Sequence, residues 1–235
     1  MQLFFSNNIN NRTCTLSSEE SRHCIAVLRH TKGDIVKVFD NNSNLYSAKI
    51  IEDNPKKCTL EILVEEKVVK RNQFLHIAIA PTKNIDRFEW FVEKAVEIGI
   101  EAITPLICEH SERKTLRLDR VEKIVIAAMK QSVNLSFPTI NPPISFLNFI
   151  ESEFCGGKYI AHCAEKATSF SASIKSNKVL IMIGPEGDFS ENEIQKATSL
   201  GFVSVTLGES RLRTETAGIV SSVIASERFN SLRHQ

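Results

Sequence analysis

The sequence predicts an α/β protein, a mostly parallel sheet covered by helices and preceded by a small β-rich domain. Three observations predict it. From residue 74 onward, short apolar runs alternate with amphipathic helical stretches, the pattern of β-α-β units. The runs "KYIAHC" and "KVLIMI" are almost wholly apolar rather than alternating, as strands are when helices cover both faces of a parallel sheet. The first seventy residues instead set short strand-like segments between turn-rich tetrapeptides.

In chain order, "SSEESRHCIAVLRH" predicts a short helix, with Ser17 and Glu20 spaced as a capping box and Ile25 and Leu28 on one face. "DIVKVFD", "LYSAKII" and "CTLEILVEE" predict three strands separated by turns at "NNSN" and "NPKK", which together point to a small antiparallel barrel. The charged stretch "EEKVVKRNQ", 65–73, marks the boundary between a domain at 1–70 and another at 73–235. "FLHIAIA" is the first strand of the second domain. "DRFEWFVEKAVEIG" follows as a helix with Phe88, Phe91, Val92, Ala95 and Val96 on one face and Gly99 as its stop. "IEAITPLIC" reads as a strand. "LDRVEKIVIAAMKQS" reads as a helix with Val121, Ile124, Val125 and Ala128 in one stripe and Asp119 as candidate cap. After the strands "KYIAHC" and "KVLIMI", "SENEIQKATSLG" predicts a helix opened by a Ser190–Glu193 capping box and closed by Gly201. "FVSVTL" is the last strand and "TETAGIVSSVIASERF" the last helix.

Composition narrows the function classes. Of 235 residues, 42% are apolar and 24% charged, an ordinary globular balance that excludes disordered and fibrous classes. Lys and Arg number 29 against 28 Asp and Glu, so any nucleic-acid contact must come from local basic surface and not from bulk charge. The start "MQLFFSNNIN" lacks a cationic segment and a long apolar core, and no run reaches the roughly 18 apolar residues of a membrane span. A cytoplasmic protein with no membrane partner is expected. Six cysteines, Cys14, Cys24, Cys58, Cys108, Cys155 and Cys163, form no C-x-x-C pair; they read as small buried apolar residues, and no metal site is expected.

The chemistry concentrates in two glycine-marked turns. "IGPEGDFS" follows one apolar strand, and "LGESRLRTETAG" follows another. Ligands of open parallel sheets sit beyond the carboxyl ends of the strands. Two such turns at adjacent strand ends, carrying the carboxylate of Glu186, read as a pocket. No G-x-x-x-x-G-K-[ST] and no strand-borne G-x-G-x-x-G is present, and a carboxylate suits a cationic or neutral ligand better than a phosphate. S-adenosylmethionine, a sulfonium, fits that description.

"IGPEGDFSENEI" followed by "LGESRLRTETAGIVSSVIA" resembles the closing motifs of the trefoil-knotted SPOUT methyltransferases. Within them, the chain is similar to the family that methylates N3 of a uridine in 16S ribosomal RNA. "HCIAVLRHTKGDIVKVFD", "KNIDRFEWFVEKAVEIGIEAITPLICEHSER", "AAMKQS" and "FPTI" extend the resemblance over nearly the whole chain. It departs from the common pattern at Asp188, where a third glycine is frequent, at "ESRLR", and at Asn134, where an arginine is usual.

The resemblance implies a PUA-like RNA-binding domain, then a knotted catalytic domain that works as a homodimer on 16S rRNA or the small ribosomal subunit. It implies an S-adenosyl-L-methionine site formed by Gly184, Pro185, Glu186 and Gly187 with Leu207, Gly208, Leu212, Arg213, Thr214 and Ala217, and a small Gly218 behind them. Methylating N3 requires loss of its proton. Arg213 is the candidate cation beside the developing uracil anion, and Glu186 either contacts the cofactor, orients an arginine or acts as base. RNA contacts fall to Arg12, Arg22, Arg29, His30 and Lys32, and to Arg113 and Lys114. Two other readings stand beside this one: a methyltransferase of the same superfamily acting on another rRNA or tRNA position, and a non-catalytic RNA-binding relative.

Overall fold

The computed structural model describes residues 2–66, 72–162 and 167–233. The middle of the boundary stretch, 67–71, and Cys163 lie outside the described residues. The chain divides into two compact units, Met1–Lys70 with Met129–Phe137 and Arg71–Ala128 with Pro138–Gln235.

The first unit is a six-stranded sheet. Its strands are β1 (Leu3–Phe5), β2 (Ile9–Asn10), β3 (Thr13–Thr15), β4 (Ile35–Phe39), β5 (Leu45–Glu52) and β6 (Thr59–Glu66), in the order β1-β4-β5-β6-β3-β2. The three longer strands are those the sequence predicts; the first three were not foreseen. The sheet is not wholly antiparallel, because β1 runs parallel to β4, with Phe4 opposite Val38. The "NNSN" turn is organised by buried Asp40, whose carboxylate accepts from the N–H groups of Asn42 and Asn44 (both 2.9 Å) and from the Tyr46 hydroxyl (3.1 Å). Helix α1 (Ser18–Arg22) passes into a π-helical turn, His23–Val27, closed by Leu28 N–H to the His23 carbonyl at 2.9 Å. Ser17 caps it by accepting from Glu20 N–H, but the expected capping box is only half made. The Glu20 carboxylate turns away to accept from Phe5 N–H (3.2 Å) and Lys130 Nζ (2.6 Å). Phe4, Cys14, Cys24, Val38, Ile50, Cys58 and Leu60 belong to its core, the three cysteines buried as expected, whereas Cys155 of the second unit is exposed.

The second unit is an eight-stranded sheet in which every pairing is parallel. Its elements are β7 (Phe74–Ile79), α2 (Ile85–Ile98), β8 (Ala102–Ile107), α3 (Leu118–Ser132), β9 (Thr139–Ile140), β10 (Ile144–Ser145), α4 (Phe146–Ile150), β11 (Gly157–Ala161), β12 (Thr168–Ser169), α5 (Phe170–Ser173), β13 (Lys178–Ile183), α6 (Glu191–Ser199), β14 (Val203–Thr206) and α7 (Thr214–Arg233). The order is β10-β8-β7-β13-β11-β14-β12, with β9 also paired to β8.

Each long element forms for the reason its sequence gives. Helix α2 buries Phe88, Phe91, Val92, Ala95 and Val96 and ends at Gly99 in the left-handed region, φ 106°. Helix α6 has the reciprocal Ser190–Glu193 capping box. Asp119 is not a cap: it lies inside the first turn of α3, its carboxylate paired with Arg117 at 2.7 Å. Helix α7 packs on α2, β7 and β13. A Cβ on Gly218 would stand 2.5 Å from the Phe91 ring and 3.0 Å from Ile79, so glycine is what lets α7 approach so closely.

Candidate functional site

The strand register places the site. Ile79, Ile183, Ala161 and Val205 lie side by side across β7, β13, β11 and β14, so these four strands end level. Parallel direction then sends all four following loops out of the same edge. The two glycine turns are not on neighbouring strands as expected: β11 runs between β13 and β14. Strand order depends on pairings far apart in the chain, which a local pattern does not carry. The consequence is a third wall, contributed by Ala161, His162 and Ala167.

A cavity of about 750 Å³ opens at this edge. It is lined by Gly184, Pro185 and Glu186 from the first turn and by residues 207–214 and Ala217 from the second. Nine of the ten predicted cofactor residues therefore meet around one space. Gly187 does not line it; its α-carbon faces His110, where an added Cβ would be 3.1 Å from the His110 Cβ.

Hydrogen bonds lock the two turns together. Thr214 Oγ1, buried at the start of α7, donates to the Gly184 carbonyl at 3.1 Å. Arg211 Nη2 donates to the Glu186 carbonyl at 3.3 Å. The Glu186 carboxylate accepts from Lys83 N–H at 3.0 Å, which ties the first turn to the loop after β7. Glu186 is thus a loop-to-loop connector in this arrangement. Asp188 occupies the left-handed region, φ 65°, and its carboxylate accepts from Phe189 N–H at 2.8 Å. The position calls for a residue that tolerates positive φ, and aspartate does so where glycine is the commoner choice.

The back of the first turn is built on Glu193. Its two carboxylate oxygens accept from Glu109 N–H and Ser190 N–H, each at 2.9 Å, and the side chain is buried. His110 Nδ1 meets the Asp188 carbonyl at 3.0 Å. Gly208 has φ 144°, and nothing stands within 4 Å of where its Cβ would be. Glycine is required there by the backbone and not by crowding.

The sequence pattern gives His162 no place beside the two glycine turns. In the fold it lines the cavity, and its Nε2 is buried without a hydrogen-bond partner among the described residues. Burial pushes its pKa below the usual histidine value, with the Asp188 charge opposing, so the neutral ring is favoured. Arg213 is exposed and lines the cavity.

The basic residues expected at RNA divide by unit. In the first, Arg12, Arg22, Arg29 and Lys32 are exposed, and His30 is held between Asp34 and Gln2, each at 3.2 Å. In the second, Lys114 is exposed, whereas Arg113 donates to the carbonyls of Thr82 (3.1 Å) and Lys83 (2.9 Å) and so braces the loop that holds Glu186. Asn134, in the first unit, accepts from Ser136 N–H at 3.1 Å in a local turn.

The cavity suits an adenosyl sulfonium: backbone groups and small residues at its strand ends leave room for a flat base, and no basic side chain lines the Gly184–Glu186 wall as a phosphate would want. Residues 69–226 match the RNA methyltransferase domain family, and residues 16–63 match the RNA methyltransferase PUA domain. Curated relatives include the ribosomal RNA small subunit methyltransferase E of Buchnera aphidicola subsp. Acyrthosiphon pisum, 30% identical over 92% of this chain and 88% of that protein. That of Mesomycoplasma hyopneumoniae is 30% identical over 93% and 96%. Among solved structures, a probable rRNA-methyltransferase from Porphyromonas gingivalis superposes with a TM-score of 0.92 at 36% identity, covering 99% of this chain and 100% of that one. The ribosomal RNA small subunit methyltransferase E of Neisseria gonorrhoeae, bound to S-adenosyl methionine, does so with 0.84 at 28%, covering 95% of each. The chain belongs to the RNA methyltransferase family and, within it, to the ribosomal RNA small subunit methyltransferase E group.

Proposed function

We propose that this chain transfers the methyl group of S-adenosyl-L-methionine to N3 of a uridine in 16S rRNA of the small ribosomal subunit. The observation that carries it is the cavity of about 750 Å³ at the level strand ends, walled by both glycine turns, in a chain similar over 95% of its length to a relative bound to S-adenosyl methionine. Gly184, Pro185, Glu186, Leu207, Gly208, Leu212, Arg213, Thr214 and Ala217 hold the cofactor, and Gly187 shapes the turn from behind. The bound sulfonium supplies an activated methyl group with a neutral leaving group. The protein's part is to seat the uracil in line and favour its anion, and Arg213, exposed at the cavity mouth, supplies the cation beside a uracil oxygen.

Residues 1–70 act as the RNA-binding domain, through Arg12, Arg22, Arg29, His30 and Lys32, with Lys114 and Arg113 adding to the catalytic domain at 73–235. We also read α7 as threaded in a trefoil knot, which its buried hydrogen bond to Gly184 supports. A cytoplasmic homodimer is part of the same reading, supported by the exposed Val223 on α7. Among the described residues no helix is long and apolar enough to cross a membrane.

Mass spectrometry of 16S rRNA nucleosides from cells lacking this protein tests the assignment, with calorimetric titration of S-adenosylmethionine into the purified chain. Loss of N3-methyluridine and saturable cofactor binding are expected. Methyluridine at the undiminished level would refute the substrate, and no binding would favour a non-catalytic RNA-binding protein.

A further inference from the structure

A second cavity, of about 610 Å³, borders the first along residues 211–213. It shares Arg211, Leu212 and Arg213 with the first cavity and adds Arg87 and Trp90 from α2 and Glu215 from α7. Glu215 is 6% exposed. Its Oε1 lies 3.9 Å from Arg87 Nε, and its Oε2 is buried without a hydrogen-bond partner among the described residues. A carboxylate in the first turn of a helix is favoured by the helix dipole. That accounts for a charge at this place but not for a bare, buried oxygen, which needs an occupant to justify it. Trp90, by contrast, is 46% exposed, a large aromatic face left to solvent at the rim.

Resting on the proposed function, we propose that this second cavity seats the target uracil and that Glu215 receives its N3 proton. The Watson–Crick edge of uracil presents an acceptor, a donor and an acceptor: O4, N3–H and O2. A carboxylate flanked by arginines is the complementary array, with Arg87 and Arg213 toward the oxygens and Glu215 Oε2 toward N3–H. Cytosine presents a bare N3 lone pair to that same oxygen and is repelled. Trp90 gives the unstacked base a surface to stack on. N3 gives up its proton to Glu215 Oε2, the electron pair so released forms the bond to the methyl carbon, and the pair of the methyl–sulfur bond goes to sulfur, which leaves neutral. Arg211, Leu212 and Arg213 line both cavities, so a uracil seated in the second borders the cofactor cavity along this segment.

Trp90 is the single tryptophan of the chain, so its fluorescence reports this cavity alone. The experiment titrates 16S rRNA, natural or with the methylated uridine replaced by cytidine, without cofactor, and measures single-turnover methyl transfer by wild type, Glu215→Gln and Glu215→Asp. Natural RNA is expected to change Trp90 emission and the cytidine RNA is not. Glu215→Gln should lower kcat about a hundredfold or more, the scale of general-base catalysis, while its cofactor Kd stays within threefold; Glu215→Asp should recover part of the rate. A Glu215→Gln rate within tenfold of an active wild type, or equal response to the cytidine RNA, overturns the inference alone. A wild type that methylates neither RNA overturns the proposed function and this inference with it. Should Glu215→Gln not fold, Trp90→Ala decides: KM for RNA rises about tenfold with kcat kept, and an unchanged KM overturns the base seat.

Discussion

Thr214 Oγ1 and the Gly184 carbonyl, thirty positions apart in sequence, form a buried hydrogen bond of 3.1 Å that fixes the second glycine turn to the first. Valine at 214 keeps the shape and removes the donor, leaving a buried carbonyl unpaired at a cost of about 1–3 kcal/mol. Thr214→Val should therefore lower the denaturation midpoint and weaken S-adenosylmethionine binding about five- to tenfold, while Thr214→Ser restores both. Calorimetry on the three proteins checks it; equal affinities would show that the bond does not shape the pocket.

Gly218 is the contact point of α7 with Phe91 and Ile79. Alanine there overpacks a filled core, which costs about 1–3 kcal/mol. A thermal midpoint lower by roughly 3–10 °C is expected of Gly218→Ala in a chain of this size. An unshifted melting curve would mean that α7 can back away freely.

Glu193 serves two backbone N–H groups at once, from Glu109 and from Ser190. Glu193→Ala leaves both without their acceptor and removes half of the capping box, a loss of about 2–3 kcal/mol. Amide hydrogen exchange at Glu109 and Ser190 should quicken together. Exchange that quickens at Ser190 alone would detach the 108–111 loop from this account.

His76 donates or accepts at Thr104 Oγ1 over 2.7 Å and packs edge-on against Phe149, and burial pushes its pKa down to about 4. The folded value lies below the unfolded value of about 6.5, so the fold holds the neutral ring. Its contribution to stability is fully present above about pH 6.5 and is lost as pH falls toward about 4, a change of about 3 kcal/mol. Urea midpoints measured across that range should fall more steeply in wild type than in His76→Gln. Parallel slopes would contradict the assignment.

What the sequence displayed and what it hid follow from the range of the interactions involved. The strand "KVLIMI", the α2 stripe from Phe88 to Val96 and the Ser190–Glu193 cap are local patterns, and each stands where its residues predict. The two-residue strands β2, β9, β10 and β12 have no periodicity to read. The parallel pairing of β1 with β4 joins residues 3–5 to 37–39 and leaves no trace in either segment alone. The glycine turns were legible because residue type announces a turn. The third wall at His162 was not, because β11 enters between β13 and β14 only in three dimensions. "TETAG" reads as an ordinary helix start; the burial of Glu215 beside Arg87 depends on α7 packing against α2, which the motif does not contain.

The order β8-β7-β13 has a consequence for biogenesis. Phe74 of β7 takes Lys178 of β13 as its partner, so one edge of β7 stays bare until roughly a hundred further residues have left the ribosome, about 5–20 s of synthesis. An exposed strand edge of that kind invites pairing with other chains. Newly made copies of this protein carry that open edge through most of elongation, and it closes only when β13 arrives.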